Sequence, residues 1–216
     1  MFMLGGRLMN LIGATQRVFN LALAIVGHIR GGLGYVVVLT SIIFSAMSGS
    51  AAADAVGVGS VTVKAMRENG YDPNFAAAVT LGASTLAPII PPSIILIVYS
   101  VTANASVGQL FLAGVLPGLF IGGALMITVG ILSHRRKYPV GEYFSFKRLG
   151  AALGQAFLPL MTPVIILGGI FTGIFTPTEA AVAAVNYMLI LGLFYRSISW
   201  KDFYYEVVRV GTTIGA

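Results

Sequence analysis

Of the chain's 216 residues, 57% are hydrophobic and only 9% are charged, and its mean hydropathy is +0.91. This excludes an ordinary soluble domain, where about a quarter of residues are charged, and it leaves room for a handful of spans of about 20 residues each but no sizeable soluble domain. The net charge of +6 comes from Lys and Arg in short loops beside apolar runs, which points to membrane orientation and away from nucleic acid; with no Cys, disulfides, thiolate nucleophiles and Cys-ligated metals are also excluded.

Residues 1–30 begin without the charged start, apolar core and small-residue cleavage site of a signal peptide. Between Arg7 and His28, charged or amide residues alternate with apolar ones at near-helical spacing, which predicts an amphipathic or interfacial arm helix. Residues 31–63 form an apolar stretch flanked by Arg30 and Lys64. As one helix it would be roughly 50 Å long, too long for one pass, yet two full passes need about 40 residues and a turn. A re-entrant hairpin resolves the conflict. Its tip is expected at Ser48, Gly49 and Ser50, where small polar residues interrupt the apolar run, and irregular backbone at that depth must be buried in protein or line a watery cavity.

Residues 64–133 hold the next two crossings, at about 75–100 and 107–133. No Asp, Glu, Lys or Arg occurs between Asn74 and Ser133. The loop 134–150 carries His134, Arg135, Arg136, Lys137, Lys147 and Arg148, so the positive-inside rule predicts that it is cytoplasmic, and parity returns residues 64–73 to the same side. Two spans follow within 151–196. Between them Thr176, Pro177 and Glu179 read as an N-cap, a first-position proline and the acid of a capping box, which gives Glu179 a structural role. Residues 197–216 again show amphipathic spacing. Gly118 and Gly122, Gly150 and Gly154, and Gly169 and Gly173 stand four apart, the interval of close helix packing. The aromatic residues, Trp200 among them, read as belt or lipid-facing.

Two places carry candidate chemistry. Asp54 is the only acid or base inside the hairpin, and an intramembrane carboxylate costs several kcal/mol unless it is paired or faces water. It either serves a binding site or bonds to Ser, Thr or amide groups of a neighbouring half-helix. The second place is the run from Ser84 and Thr85 through Pro88, Pro91, Pro92 and Ser93. Three prolines in five positions remove three backbone donors and clash with preceding carbonyls, which predicts a broken helix rather than a kinked one. A broken helix offers carbonyls to a cation from its first half and amides to an anion from its second. Enzyme readings fail. His28 and His134 lie at span ends, only one carboxylate is deep, and no Walker-type loop is present.

The run Met47-Ser48-Gly49-Ser50-Ala51-Ala52-Ala53-Asp54, then Gly70-Tyr71-Asp72-Pro73, then Ser84-Thr85 with Pro88 to Ser93, then Pro117-Gly118, and finally Phe175-Thr176-Pro177-Thr178-Glu179 resembles, in order, the large permease subunit of tripartite ATP-independent periplasmic (TRAP) transporters, the DctM-like component. The resemblance implies an all-α polytopic membrane protein of the elevator-type ion-transporter fold, of which this chain holds one inverted-repeat half with its re-entrant hairpin and broken helix. It implies import across the bacterial inner membrane of an organic anion (a C4-dicarboxylate, sialic acid or similar carboxylate) handed over by a periplasmic substrate-binding protein. Sodium is then the coupling ion and the only metal, no other cofactor is needed, and a small TRAP membrane subunit is the partner in the bilayer. Carried over by position, Ser48, Gly49, Ser50, Ser84, Thr85 and Pro88 frame the sodium site, with Pro91, Pro92, Ser93 and Asp54 on the substrate side. Family members are roughly twice as long, so a second expectation stands beside the first: a truncated, non-transporting remnant or assembly module that packs on another membrane chain. A channel would require a continuous polar span, and none is present in the sequence.

Overall fold

The computed structural model describes residues 1–141, 143–198 and 200–215, apart from the side chains of Trp200, Asp202 and residues 213–215. Among these residues the structure is all-helical. Ten helices follow in order: α1 Phe2–Leu11, α2 Ala14–Val26, α3 Gly32–Ser48, α4 Ala51–Glu68, α5 Pro73–Ser84, α6 Ile94–Ala103, α7 Val107–Arg135, α8 Phe146–Phe171, α9 Pro177–Phe194 and α10 Trp200–Gly215.

Helices α7, α8 and α9 are each long and apolar enough to cross a membrane. Their outer faces carry Leu116, Phe120, Phe157 and Leu193, all at least half exposed, as lipid-facing residues do in a bilayer, where apolar side chains gain nothing by hiding from the solvent. Pro117 in α7 and Pro159 and Pro163 in α8 are absorbed without interrupting either helix. The clustered prolines act differently. Between α5 and α6 the chain leaves the helix over residues 85–93, with Pro91 and Pro92 joined by a cis peptide.

The amphipathic segment at the start is two helices, α1 and α2, bent by 74° at the residues between them. Gly13 sits there in the left-handed region at φ 71°, a conformation that costs any residue with a Cβ roughly 1–2 kcal/mol. Alternating spacing could not reveal this bend, because each half keeps its own buried stripe: Leu4, Leu8 and Met9 on α1, and Val18, Leu21 and Ala22 on α2.

The hairpin α3–α4 lies between two apolar cores. On one side Val37, Val38 and Met66 join Phe75, Val79, Leu86 and Ile90 from the broken pair and Val129 from α7. On the other, Phe44, Met47 and Val58 join Leu8 and Met9 from α1, Ile166 from α8 and Met188 from α9. Small residues permit the close approaches. A Cβ on Gly118 would lie 2.5 Å from Ile90 Cγ1 and one on Gly122 would lie 2.9 Å from Ile42 Cδ1, whereas a Cβ on Gly150 or Gly154 would meet none of the described residues within 4 Å. Gly169 meets the ring of Phe175, and Gly173 is left-handed at φ 74° where α8 ends.

One end of the bundle gathers three segments that the charge pattern places on one side of the membrane. Arg136 donates to Asp72 at 2.7 Å, Tyr138 stacks on Tyr71 with ring centroids 4.4 Å apart, and the amide of Gly31 donates to the Pro139 carbonyl at 3.0 Å. At the other turn, Thr176 and Glu179 close the capping box read from the sequence: the Thr176 amide donates to Glu179 at 2.8 Å and the Glu179 amide to the Thr176 hydroxyl at 3.3 Å.

Candidate functional site

The hairpin tip is built from local rules. Gly49 ends α3 in the left-handed conformation, φ 60° and ψ 15°, and its amide donates to the Ser45 carbonyl. Ser50 turns extended, and its hydroxyl accepts from the Ala53 amide at 3.4 Å as the N-cap of α4. Such a cap satisfies one of the orphan amides at a helix start. Asp54 lies in the first turn of α4 and is fully buried. A carboxylate there is favoured by the amide end of the helix. Its two oxygens accept from the two serines of the facing arm: Ser45 donates to Oδ2 at 2.8 Å, and Ser48 donates to Oδ1. The Ser48 hydroxyl also accepts from the Ser50 amide at 3.4 Å. One carboxylate thus ties both arms and the turn together.

The break is organised from its second half. Ser93 N-caps α6 by accepting from the Leu96 amide at 3.3 Å, and its own hydroxyl donates to the Pro88 carbonyl at 2.7 Å, closing the irregular segment on itself. The amides of Leu86, Ala87, Ile89 and Ile90 reach back to carbonyls at Ala83, Ser84 and Leu86. The hydroxyls of Ser84 and Thr85 bond to the Leu81 and Gly82 carbonyls of their own helix, at 2.8 and 2.7 Å.

Tip and break meet through backbone. The Ile94 amide donates to the Gly49 carbonyl at 3.4 Å, and a Cβ on Gly49 would stand 2.5 Å from the Pro92 oxygen. Of the residues singled out from the sequence, Ser48, Gly49, Ser50 and Asp54 form one cluster, and Pro88, Pro91, Pro92 and Ser93 another that abuts it. Pro91, Pro92 and Ser93 are buried. Ser84 and Thr85 stand one to two turns away along the chain, with Ser84 buried and Thr85 exposed. The oxygens supplied by hydroxyls, carbonyls and one carboxylate are all hard donors, the chemistry suited to an alkali cation.

Sequence reasoning missed three contributors. Ser45 stands three residues before Ser48, a spacing that puts both on one helical face, so it could have been paired with Asp54 once the turn was fixed. Ser41, one turn earlier on that stripe, is buried and its hydroxyl finds no partner among the described residues. Helix α1 closes the tip from outside: a Cβ on Gly6 would lie 3.1 Å from Ser48 Cβ, and Asn10 packs on Gly57 so closely that a Cβ there would be 2.5 Å from its Nδ2. No local signal marks that contact. A cavity of about 570 Å³ lies elsewhere, at the basic end between α2, α8 and the loop after α7.

The whole chain, residues 1–216, matches the family described as tripartite ATP-independent periplasmic transporter, DctM component. It is 45% identical over 94% of its length to the sialic acid TRAP transporter large permease protein SiaM of Vibrio cholerae, covering 48% of that protein. It is 42% identical over 93% of its length to the C4-dicarboxylate TRAP transporter large permease protein DctM of Pseudomonas aeruginosa, covering 47% of it. To the sialic acid TRAP transporter permease protein SiaT of Haemophilus influenzae it is 40% identical over 99% of its length, covering 35%. The chain therefore spans about half the length of these curated relatives, or less.

Proposed function

This chain belongs to the DctM-component family of the tripartite ATP-independent periplasmic transporters, and on that premise we propose that it supplies one half of a sodium-coupled permease that imports an organic anion across the bacterial inner membrane. The anion is a carboxylate, of the class that includes sialic acids and C4-dicarboxylates. A periplasmic substrate-binding protein delivers it, and a small membrane subunit and the bilayer complete the assembly. The hairpin and broken helix are the moving part of an elevator-type fold, with residues 64–73 and 134–150 on the cytoplasmic side.

The observation that carries this reading is the contact of the Gly49 carbonyl with the Ile94 amide at 3.4 Å. It sets the hairpin tip against the amide end of α6, where an anion is favoured, while the carbonyls of the tip and the Pro88 turn supply oxygens to a cation. Ser48 and Ser50 shape the tip, Asp54 holds it, and Ser93 fixes the break. Ser84 and Thr85 add oxygens from the end of α5.

The chain has no cysteine, so a single Cys placed at Ser50 reports on the tip alone. In proteoliposomes, with and without a complementary half co-expressed, sodium is expected to protect that thiol from a small alkylating reagent and potassium is not. If sodium has no effect even with the other half present, the site assignment falls, and the chain stands as a packing element.

A further inference from the structure

The loop after α7 and the first residue of α8 carry a cluster of aromatic rings that the hairpin site does not use. Tyr143 is 97% exposed, Phe144 41% and Phe146 82%. Phe144 stands edge-on to Phe146, with ring centroids 4.9 Å apart, and edge-on to His28 in the turn between α2 and α3 at 5.5 Å. The same turn is tied to the loop by the antiparallel bridge of Arg30 with Val140 and by the bond from the Gly31 amide to the Pro139 carbonyl at 3.0 Å. The rings are thus fastened to the junction at which the chain enters α3 and leaves α7.

Their surroundings follow from α8. With 3.6 residues per turn, Phe146, Leu153, Phe157, Val164 and Phe171 fall within about 40° of one another around the helix axis, and all five are between 45% and 82% exposed. Such a stripe on an apolar span faces lipid. From Phe146 to Phe171 it is about 38 Å long at 1.5 Å per residue, more than the roughly 30 Å of hydrocarbon in a bilayer, so its two ends lie in the headgroup layers. Tyr143 and Phe144 continue outward from the Phe146 end. In water three neighbouring rings would form a costly exposed patch, whereas at headgroup depth their apolar bodies and polar edges both find partners.

We propose that Tyr143, Phe144 and Phe146 anchor the loop after α7 in the headgroup boundary of the bilayer, so that the lipid surface is the partner of this patch and holds the base of the hairpin at that level. The anchor is aromatic rather than electrostatic. Arg148 already has a partner and Glu142 stands in the same loop, so the contact does not depend on an unpaired cation and should not require anionic lipid. The inference is independent of the sodium reading, and its test uses neither sodium nor transport.

The chain has no cysteine, so Tyr143→Cys, Phe146→Cys and Phe157→Cys can each carry one environment-sensitive fluorophore in phosphatidylcholine vesicles that contain lipid brominated either near the headgroup or near the acyl-chain end. The labels at positions 143 and 146 are expected to be quenched more by the shallow bromines, and the label at 157, midway along the stripe, more by the deep ones. The order should be the same when phosphatidylglycerol replaces part of the phosphatidylcholine. Phe144→Ser with Phe146→Ser should remove most of the quenching at position 143 and leave the order at 157 unchanged, which separates loss of the anchor from loss of the fold. Absence of quenching at 143 and 146, the deep order at all three positions, quenching that appears only with phosphatidylglycerol, or full quenching at 143 in the double variant overturns the proposal. Absence of quenching at 157 also overturns it, because the stripe then does not face lipid. So does loss of quenching at 143 and 146 when a complementary half or a small membrane subunit is added, because the patch is then covered by protein.

Discussion

The backbone of Gly49 sits against the carbonyl of Pro92, so closely that a Cβ on Gly49 would be 2.5 Å from that oxygen. The hairpin tip and the proline break are thus fitted backbone to backbone, and glycine is required twice at one position: for its φ of 60° and for the space. Gly13, also left-handed at φ 71°, has nothing within 4 Å. The two separate conformation from contact. Gly13→Ala should cost only the left-handed strain, roughly 1–2 kcal/mol. Gly49→Ala should cost clearly more in thermal unfolding in detergent, and should expose a cysteine at Ser50 to alkylation. Equal losses for the two variants would show that the tip does not press on the break.

The buried carboxylate of Asp54 makes opposite predictions for two serines on one stripe of α3. Ser45 donates to it at 2.8 Å, and Ser45→Ala leaves a buried acceptor short of a donor, at a cost of about 1–3 kcal/mol. The Ser41 hydroxyl is buried without a partner among the described residues, so Ser41→Ala removes an unsatisfied group and should be neutral or stabilising. Unfolding curves of the two variants, compared under one set of conditions, check the sign as well as the size. A destabilisation of Ser41→Ala equal to that of Ser45→Ala would refute the arrangement.

Much of this arrangement was legible in the sequence because it is set by residues close together in the chain. Ser48 to Ser50 announce the turn by interrupting an apolar run, the three prolines between Pro88 and Pro92 announce the break, and Thr176 to Glu179 spell their own capping box. What stayed hidden depends on residues far apart. The pairing of Ser45 with Asp54 needs the hairpin closed, the seat of Gly6 and Asn10 on the tip needs α1 folded over it, and the 74° bend between α1 and α2 rests on one glycine among 27. Spacing alone also treated the glycine pairs alike, although among the described residues Gly118 meets the proline break at Ile90 and Gly122 meets α3 at Ile42, whereas Gly150 and Gly154 meet nothing within 4 Å.

That difference is itself testable. In a bilayer, helices associate by close packing more than by expulsion of water, so the Gly118 contact with Ile90 matters and an exposed glycine does not. Gly118→Ala forces a Cβ to 2.5 Å from Ile90 Cγ1 and is expected to destabilise by about 1–3 kcal/mol, the usual range for overpacking. Gly150→Ala and Gly154→Ala meet nothing within 4 Å and should stabilise α8 by up to about 1 kcal/mol through helix propensity. Circular dichroism melts of the three variants give the ordering.

Sidedness has a direct chemical test. Residues 134–150 carry five of the 13 Lys and Arg residues, and Arg136 bonded to Asp72 ties them to residues 64–73 at one end of the bundle, so both segments should face the cytoplasm together. A cysteine at Ser106, in the turn between α6 and α7, should react with an impermeant maleimide added to intact cells. One at Ser145 should react only after the membrane is opened. The reverse pattern would invert the whole orientation.

The same Asp72–Arg136 pair sets a pH dependence. The Asn74 amide donates to Asp72, and Arg136 adds a second bond and its charge; together they hold the carboxyl below its ordinary value of 3.8. Because Asp72 titrates lower in the folded chain than in the unfolded one, its contribution is present above about pH 3.8 and is lost as the pH falls through the folded value. Asp72→Asn keeps an oxygen for the Asn74 amide and removes the charge facing Arg136. It should therefore lower Tm at pH 7, and the gap to wild type should close as the pH falls below 3.8. Added salt should narrow the same gap at neutral pH, since both side chains are partly exposed and the pair is screened. A gap independent of both pH and salt would mean that Asp72 acts through its cap alone.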